Sequence, residues 1–293
     1  MSGFLQNTFN GLVSGGFYAL LALGLSVIFG MLRVVNFAHG TFYMLGAVGA
    51  YVLLTEAGLP FWYALILVPL ALGAFGMLLE RLVIHRLTQL DPLYNFLLTF
   101  GLALILQDLV KWRYGVQSTP YSTPSALSGT VDFGLFTFPG YRVFVLGFAV
   151  LMCAVVWWLL SRTRIGLVVR ASTERPELTS ALGINVGRWV TPVFGFGIAL
   201  AALAGVLAAP MRAVNPLMGA DLIIVVFAVV VIGGLGSIFG SVAAAFAIGM
   251  VQAWGEAYAS GWPIISQIAV FVVMAAVLLW RPAGLFGREE APA

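Results

Sequence analysis

Two asparagines stand in segments that read alike. Arg33-Val34-Val35-Asn36-Phe37-Ala38-His39-Gly40 and Arg212-Ala213-Val214-Asn215-Pro216-Leu217-Met218-Gly219 share the pattern R-x-V-N-x-x-x-G, each after a long apolar stretch and before a short one. Asparagine is a favoured helix cap because its side-chain oxygen accepts an orphan backbone N–H. Pro216 suits the first helical position, where no N–H is needed. Each asparagine is therefore expected to start a half-helix, whose N-terminus carries a partial positive charge. At the middle of a bilayer, two such ends can face a carboxylate or an amide oxygen. The candidate residues of a solute path are Asn36, Phe37, His39, Gly40, Thr41, Tyr43 and Met44 from the first copy, and Asn215, Met218 and Gly219 from the second. Core packing is the competing role for Phe37 and Met44, and an ordinary capped turn is the competing role for each motif.

Other chemistries find little support. Lys111 lacks the flanking Gly and Ser/Thr of a phosphate-binding loop, so the chain is not expected to hydrolyse ATP by itself. His39 and His85 lie far apart and Cys153 is the single cysteine, so no metal site, cofactor or disulfide is expected. Gly233-Gly234-Leu235-Gly236-Ser237-Ile238-Phe239-Gly240 lies between two apolar stretches rather than after a strand. It reads as a tight turn with close helix packing, as do Gly73 with Gly76 and Gly195 with Gly197. The acids Glu56, Glu80, Asp108, Asp221 and Glu256 fall mostly at the ends of apolar stretches. Glu80 beside Arg81 reads as an interfacial pair. Asp221 reads as a cap of the short helix, with substrate contact as the lesser alternative. No chain of acids crosses an apolar segment, which counts against a proton- or sodium-coupled carrier. An intramembrane enzyme would need a His/Asp/Ser constellation within the spans, and none is found.

What must hold these residues is set by composition: 61% of the 293 residues are hydrophobic and 9% charged. A water-facing globule carries about a quarter charged residues, so the solvent for this chain is lipid. Apolar stretches long enough to cross, or nearly cross, a bilayer run over 8–30, 37–55, 61–80, 93–111, 143–161, 191–210, 222–235, 238–256 and 263–280. The fold class expected is an all-α polytopic membrane protein of eight to nine transmembrane helices, some short or broken, forming one domain over 1–293. The first basic residue follows the first apolar stretch, so that stretch is expected to remain as a span. Placing 162–190 in the cytoplasm puts ten of the 14 basic residues inside and leaves Lys111, Arg113, Arg142 and Arg212 outside. The N-terminus is then expected outside and the C-terminus inside. Five spans separate the two asparagine motifs, so they face opposite sides, as in an inverted-topology repeat. Trp112 and Trp262 fall at span ends, where indole rings favour the interface. The stretch 112–142, with Pro120, Pro124 and Pro139, is expected to be an irregular extracytoplasmic cap.

The segment 162–190 is too polar to span. Thr173, Pro176 and Glu177 predict a capped helix start near 174–177, and Gly183 suits its end. A plain inner loop that sets orientation is one role for it; a docking helix for a soluble partner is the other.

Here the chain resembles a known family. Arg170-Ala171, the acids Glu174 and Glu177, and Ala181-Leu182-Gly183-Ile184-Asn185 resemble the coupling loop of branched-chain amino acid ABC permeases. Asn36-Phe37-Ala38-His39-Gly40, Val231-Ile232-Gly233-Gly234-Leu235-Gly236-Ser237 and Arg281-Pro282-Ala283-Gly284-Leu285-Phe286-Gly287 are similar to its other landmarks. The match is to the smaller, high-affinity permease subunit. The resemblance implies a bacterial inner-membrane importer subunit. Its partners would be a second homologous permease, two cytoplasmic ATP-binding subunits and an extracytoplasmic substrate-binding protein, with no nucleic acid. It implies that Arg170, Ala171, Glu174, Glu177, Ala181, Leu182, Gly183, Ile184 and Asn185 couple to the ATPase. The loop lacks the Glu-Ala-Ala triplet of many importers, so which acid docks is open. Related permeases carry leucine-type amino acids, urea or short amides, and the residues do not decide among these.

Overall fold

The computed structural model describes residues 2–32, 34–87, 91–132, 134, 137–258 and 264–287. Arg33, Trp262 and Arg288-Glu289-Glu290 lie outside them. Helices dominate the described residues: α1 Ser2–Leu32, α2 His39–Thr55, α3 Phe61–Leu79, α4 His85–Leu87, α5 Pro92–Tyr114, α6 Gly140–Arg162, α7 Arg164–Glu174, α8 Pro176–Ala181, α9 Val186–Ala208, α10 Met218–Gly233, α11 Ile238–Tyr258 and α12 Ile264–Trp280. Six helical segments among the described residues are long and apolar enough to cross a bilayer. The helices α2, α10 and α12 have 17, 16 and 17 residues. At about 1.5 Å per residue they reach roughly 25 Å, short of the ~30 Å hydrocarbon core. Each of the nine apolar stretches predicted from sequence is thus a helix, and the chain is an all-α polytopic membrane protein with short helices among the long ones. Trp62, Ile66 and Leu70 on α3, Leu97, Ile105 and Leu109 on α5, and Leu151, Val155 and Trp158 on α6 are exposed. Lipid tails, not water, are the solvent such faces require.

The chain divides into two compact units. One collects 27–121 and 154–223. Its core is α2, α3 and α9, packed through small residues that let backbones approach. A side chain on Gly46 would strike the backbone of Ala202, and one on Gly205 the carbonyl of Tyr43. Gly73 and Gly195 meet in the same way between α3 and α9, in line with the close helix packing read from these glycines, though their pairing with each other was not legible in sequence.

The other unit collects 1–26, 122–153 and 224–293. Gly11 and Gly15 on α1 sit against the backbone of Met250 and Phe246 on α11. Gly233 and Gly240 touch across the α10–α11 turn, which bears out the tight-turn reading. The ending 281–287 folds back onto that turn: Leu285 and Phe286 donate their N–H groups to the carbonyls of Ile232 (2.9 Å) and Gly233 (3.1 Å). It therefore caps the orphan carbonyls at the end of α10. The stretch 112–142 is less irregular than expected. Thr130–Asp132 (β1) and Thr137–Pro139 (β2) pair antiparallel, with Val131 opposite Phe138. Phe138 packs on Phe9 (4.4 Å between ring centres), and Arg142 donates to Asn10 Oδ1 at 2.6 Å.

Candidate functional site

Both asparagine motifs fold into the same turn. Asn36 Oδ1 accepts the N–H of Ala38 at 3.0 Å, and Asn215 Oδ1 accepts the N–H of Leu217 at 2.9 Å. The backbone carbonyls of Asn36 and Asn215 accept from His39 (3.1 Å) and Met218 (3.4 Å), the first residues of α2 and α10. Each asparagine thus closes the turn that leads into a short helix; it is not the helix cap its residue type predicted, since Ala38 holds the cap position of α2 and has no side-chain bond there. Asp221 does not share that role at α10; it stands exposed in the first turn, where a negative charge suits the helix dipole.

The structure brings the ends of the two motifs together. A side chain on Gly40 would strike the carbonyl of Gly219, and one on Gly219 the carbonyl of Gly40, with Met44 alongside. Met218 is buried beside them in sequence. Of the first-copy candidates, His39, Thr41, Tyr43 and Met44 are buried, and Phe37 is half-buried against Phe96 at 4.9 Å. Asn36 is 3% exposed, and its Nδ2 makes no hydrogen bond among the described residues. A buried amide donor without a partner costs about 1–3 kcal/mol. Nearby, Thr99 Oγ1 accepts the N–H of Phe37 at 3.3 Å, and Asn95 buries an Oδ1 with no partner among the described residues.

Asn215 is more open. With Tyr51, Tyr114, Gln117, Thr119 and Pro216 it lines a shallow groove. Glu56 fixes one side of this region. Its Oε1 accepts from Arg113 and from the Tyr114 hydroxyl, each at 3.2 Å, and the Arg113 guanidinium lies over the Tyr114 ring. Lys111 pairs with Asp108 at 2.9 Å, an exposed pair of small energetic weight.

The segment 162–190 forms two helices rather than one. Thr163, not Thr173, provides a side-chain cap: it accepts from Gly166 at the start of α7. Thr173 instead donates to the Val169 carbonyl and packs against Gly30. The break falls at Arg175, whose φ of −143° and ψ of 75° leave the helical region. The residue before a proline is pushed out of that region by the proline ring, so Pro176 ends α7 and begins α8. Gly183, at φ +84°, closes α8 as expected. Glu174, Glu177, Ala181, Leu182 and Gly183 are exposed, Ala171 and Ile184 half-buried. Arg170 turns back to the Ser161 carbonyl (3.3 Å), and Asn185 caps α9 by accepting from Arg188. Both side chains are exposed.

Glu80 departs most from expectation. It is fully buried, in a π-helical turn spanning Glu80–Ile84, and accepts a hydrogen bond from Thr191 on α9 rather than pairing with Arg81. Thr191 lies 111 residues away in sequence, so no local pattern could have paired them. The His85 side chain is 55% exposed, with Nδ1 3.5 Å from Glu80 Oε1.

The family model for the permease component of branched-chain amino acid transport systems matches residues 7–278. The chain is 31% identical to the high-affinity branched-chain amino acid transport system permease protein BraD of Pseudomonas aeruginosa, over 98% of this chain and 97% of BraD. It is 28% identical to the permease protein LivH of Escherichia coli, over 98% and 96% of the two chains. It is also 28% identical to LivM of the same organism, over 92% of this chain and 67% of LivM. A match to the family over nearly all of its spans, with relatives aligned end to end, makes this chain a member of the branched-chain amino acid transport permease family.

Proposed function

We propose that this chain is the membrane-spanning subunit of an importer for branched-chain amino acids, driven by ATP hydrolysis on separate subunits. The observation that carries the reading is the family match over 7–278, which includes the motifs at Asn36 and Asn215 and the segment 162–190. LivH and LivM of Escherichia coli are both named permease proteins of a high-affinity branched-chain amino acid transport system, and both resemble this chain. A second, homologous permease is accordingly its partner. A binding protein delivers solute to the outer face, including the 112–142 stretch.

In this reading 162–190 is cytoplasmic, the N-terminus outside and the C-terminus inside, as the arginine distribution favours. The exposed face of α8, with Glu177, Leu178 and Leu182, seats on an ATP-binding subunit. Two exposed leucines on a polar segment are the apolar anchors that a docked partner would cover. The two motifs face opposite sides of the bilayer, and solute passes along the helices they begin. The unpartnered Nδ2 of Asn36 and the positive end of α2 offer donors to a carboxylate. A substrate drives the exchange between outward- and inward-open states only through different affinity for the two.

Purifying the tagged chain in mild detergent tests the assembly. The expected result is recovery of a second permease and a nucleotide-hydrolysing subunit; recovery of the chain alone, still able to carry solute, contradicts it. Gly183→Pro tests the docking segment. Proline locks φ near −65° and cannot adopt +84°, so the α8–α9 junction must rearrange. ATP-dependent uptake is expected to fall by about tenfold or more, the effect of roughly 1.4 kcal/mol, while the chain still folds. Normal uptake in this variant would remove the segment from the coupling route.

A further inference from the structure

The α3–α9 pair carries a joint that the proposed mechanism does not yet use. Glu80 is fully buried at the end of α3. A carboxylate there is costly unless it is hydrogen-bonded, and the partner it finds is the Thr191 hydroxyl on α9. The helix around Glu80 is widened into a π turn, with the His85 N–H bonded to the Glu80 carbonyl five residues back. On a regular α-helix residues five apart point about 140° away from each other; the wider turn brings His85 round to 3.5 Å from Glu80. On the facing helix, Pro192 follows Thr191 inside α9. Proline removes one helical N–H and clashes with the carbonyl four residues earlier, which softens the turn. Two weakened helical turns therefore stand opposite each other, joined by one hydrogen bond to a buried acid. Further along, the same helices are packed backbone to backbone at Gly73 and Gly195.

Position gives this joint its meaning. α9 begins at Val186, directly after α8 and the Gly183 turn. A displacement of α8 reaches Thr191 within two turns of helix. Without a tie at that level, the softened turn at Pro192 absorbs the movement before the rigid Gly73–Gly195 contact receives it. We propose that Glu80 is a positioning residue that, through Thr191, transmits displacement of the α7–α8 segment into the α3–α9 pair; this rests on the ATP-driven reading above.

The test uses the complete importer in proteoliposomes, with ATP hydrolysis and leucine uptake measured together in wild type, E80Q, T191V and T191S. The expected result is that T191V keeps hydrolysis within about twofold of wild type while uptake drops about tenfold, so ATP consumed per leucine rises about tenfold, the size of a hydrogen bond to a buried group left unmade; E80Q, whose amide oxygen still accepts from Thr191, shows a smaller rise. T191S, which keeps the hydroxyl, restores the wild-type ratio. Should E80Q not fold, the T191V and T191S pair decides alone. An unchanged ratio in T191V, or a loss in T191V that T191S does not rescue, overturns the joint while leaving ATP-driven transport intact. Wild-type uptake that proceeds equally without ATP overturns both.

Discussion

Gly40→Val is expected to lower the thermal midpoint of the detergent-solubilised chain by about 10 °C, whereas Gly101→Val should leave it within about 2 °C. The difference lies in what the new side chain meets. A Cβ on Gly40 collides with the Gly219 carbonyl and crowds Ile223, while one on Gly101 meets nothing within 4 Å. Overpacking costs about 1–3 kcal/mol when side chains can yield; here the obstacle is backbone, so the upper end applies. A loss of ~3 kcal/mol in a chain of this size moves the midpoint by roughly 10 °C. Gly219→Val should behave like Gly40→Val, because the contact is reciprocal. Equal midpoints for Gly40→Val and Gly101→Val would mean that the two motif ends do not meet in the membrane.

The second large effect is expected at Asn36. Asn36→Leu removes the acceptor of the Ala38 N–H and the unpartnered Nδ2 together. Loss of the turn's side-chain hydrogen bond costs about 1 kcal/mol, which loosens the entry to α2 without unfolding it. Uptake should fall at least tenfold, while co-purification of the ATP-binding subunit persists. Asn36→Asp separates the two roles: it keeps an oxygen for the Ala38 N–H but exchanges the donor for a second acceptor. If the donor contacts the solute, Asn36→Asp is as defective in uptake as Asn36→Leu. If only the turn matters, Asn36→Asp carries solute like wild type.

The sequence displays this fold unusually well because its solvent is lipid. Backbone groups in hydrocarbon must bond within their own segment, so each apolar stretch had one structure open to it, and each became a helix. The turns at Asn36 and Asn215 were legible for a related reason: an asparagine side chain bonds the backbone N–H two residues on, a local interaction, although the cap position of α2 falls at Ala38 instead. The junction at Arg175 was equally local, and its signal was Pro176, which forces the residue before it out of the helix. Read only as a helix start, Pro176 concealed that a second helix, α7, ends against it. The small hairpin at Thr130–Asp132 and Thr137–Pro139 left no readable signal, since strands of three residues are too short for alternation.

Pairings over long sequence distances were the hidden part. Glu80 next to Arg81 looks like an interfacial pair in any one-dimensional reading, yet its partner comes from α9. The ending 281–287 and the glycines at 233–240 were visible as separate landmarks; that one caps the helix preceding the other emerges only in three dimensions. Gly40 and Gly219 were marked by the repeat, but not as each other's neighbours.

Uptake of labelled leucine into proteoliposomes tests the central claim most directly. The chain is reconstituted with its partner permease and binding protein, with and without the ATP-binding subunits. Accumulation against a gradient only when those subunits and ATP are present is the predicted result. Accumulation of the same size in their absence, abolished by an ionophore, would contradict it.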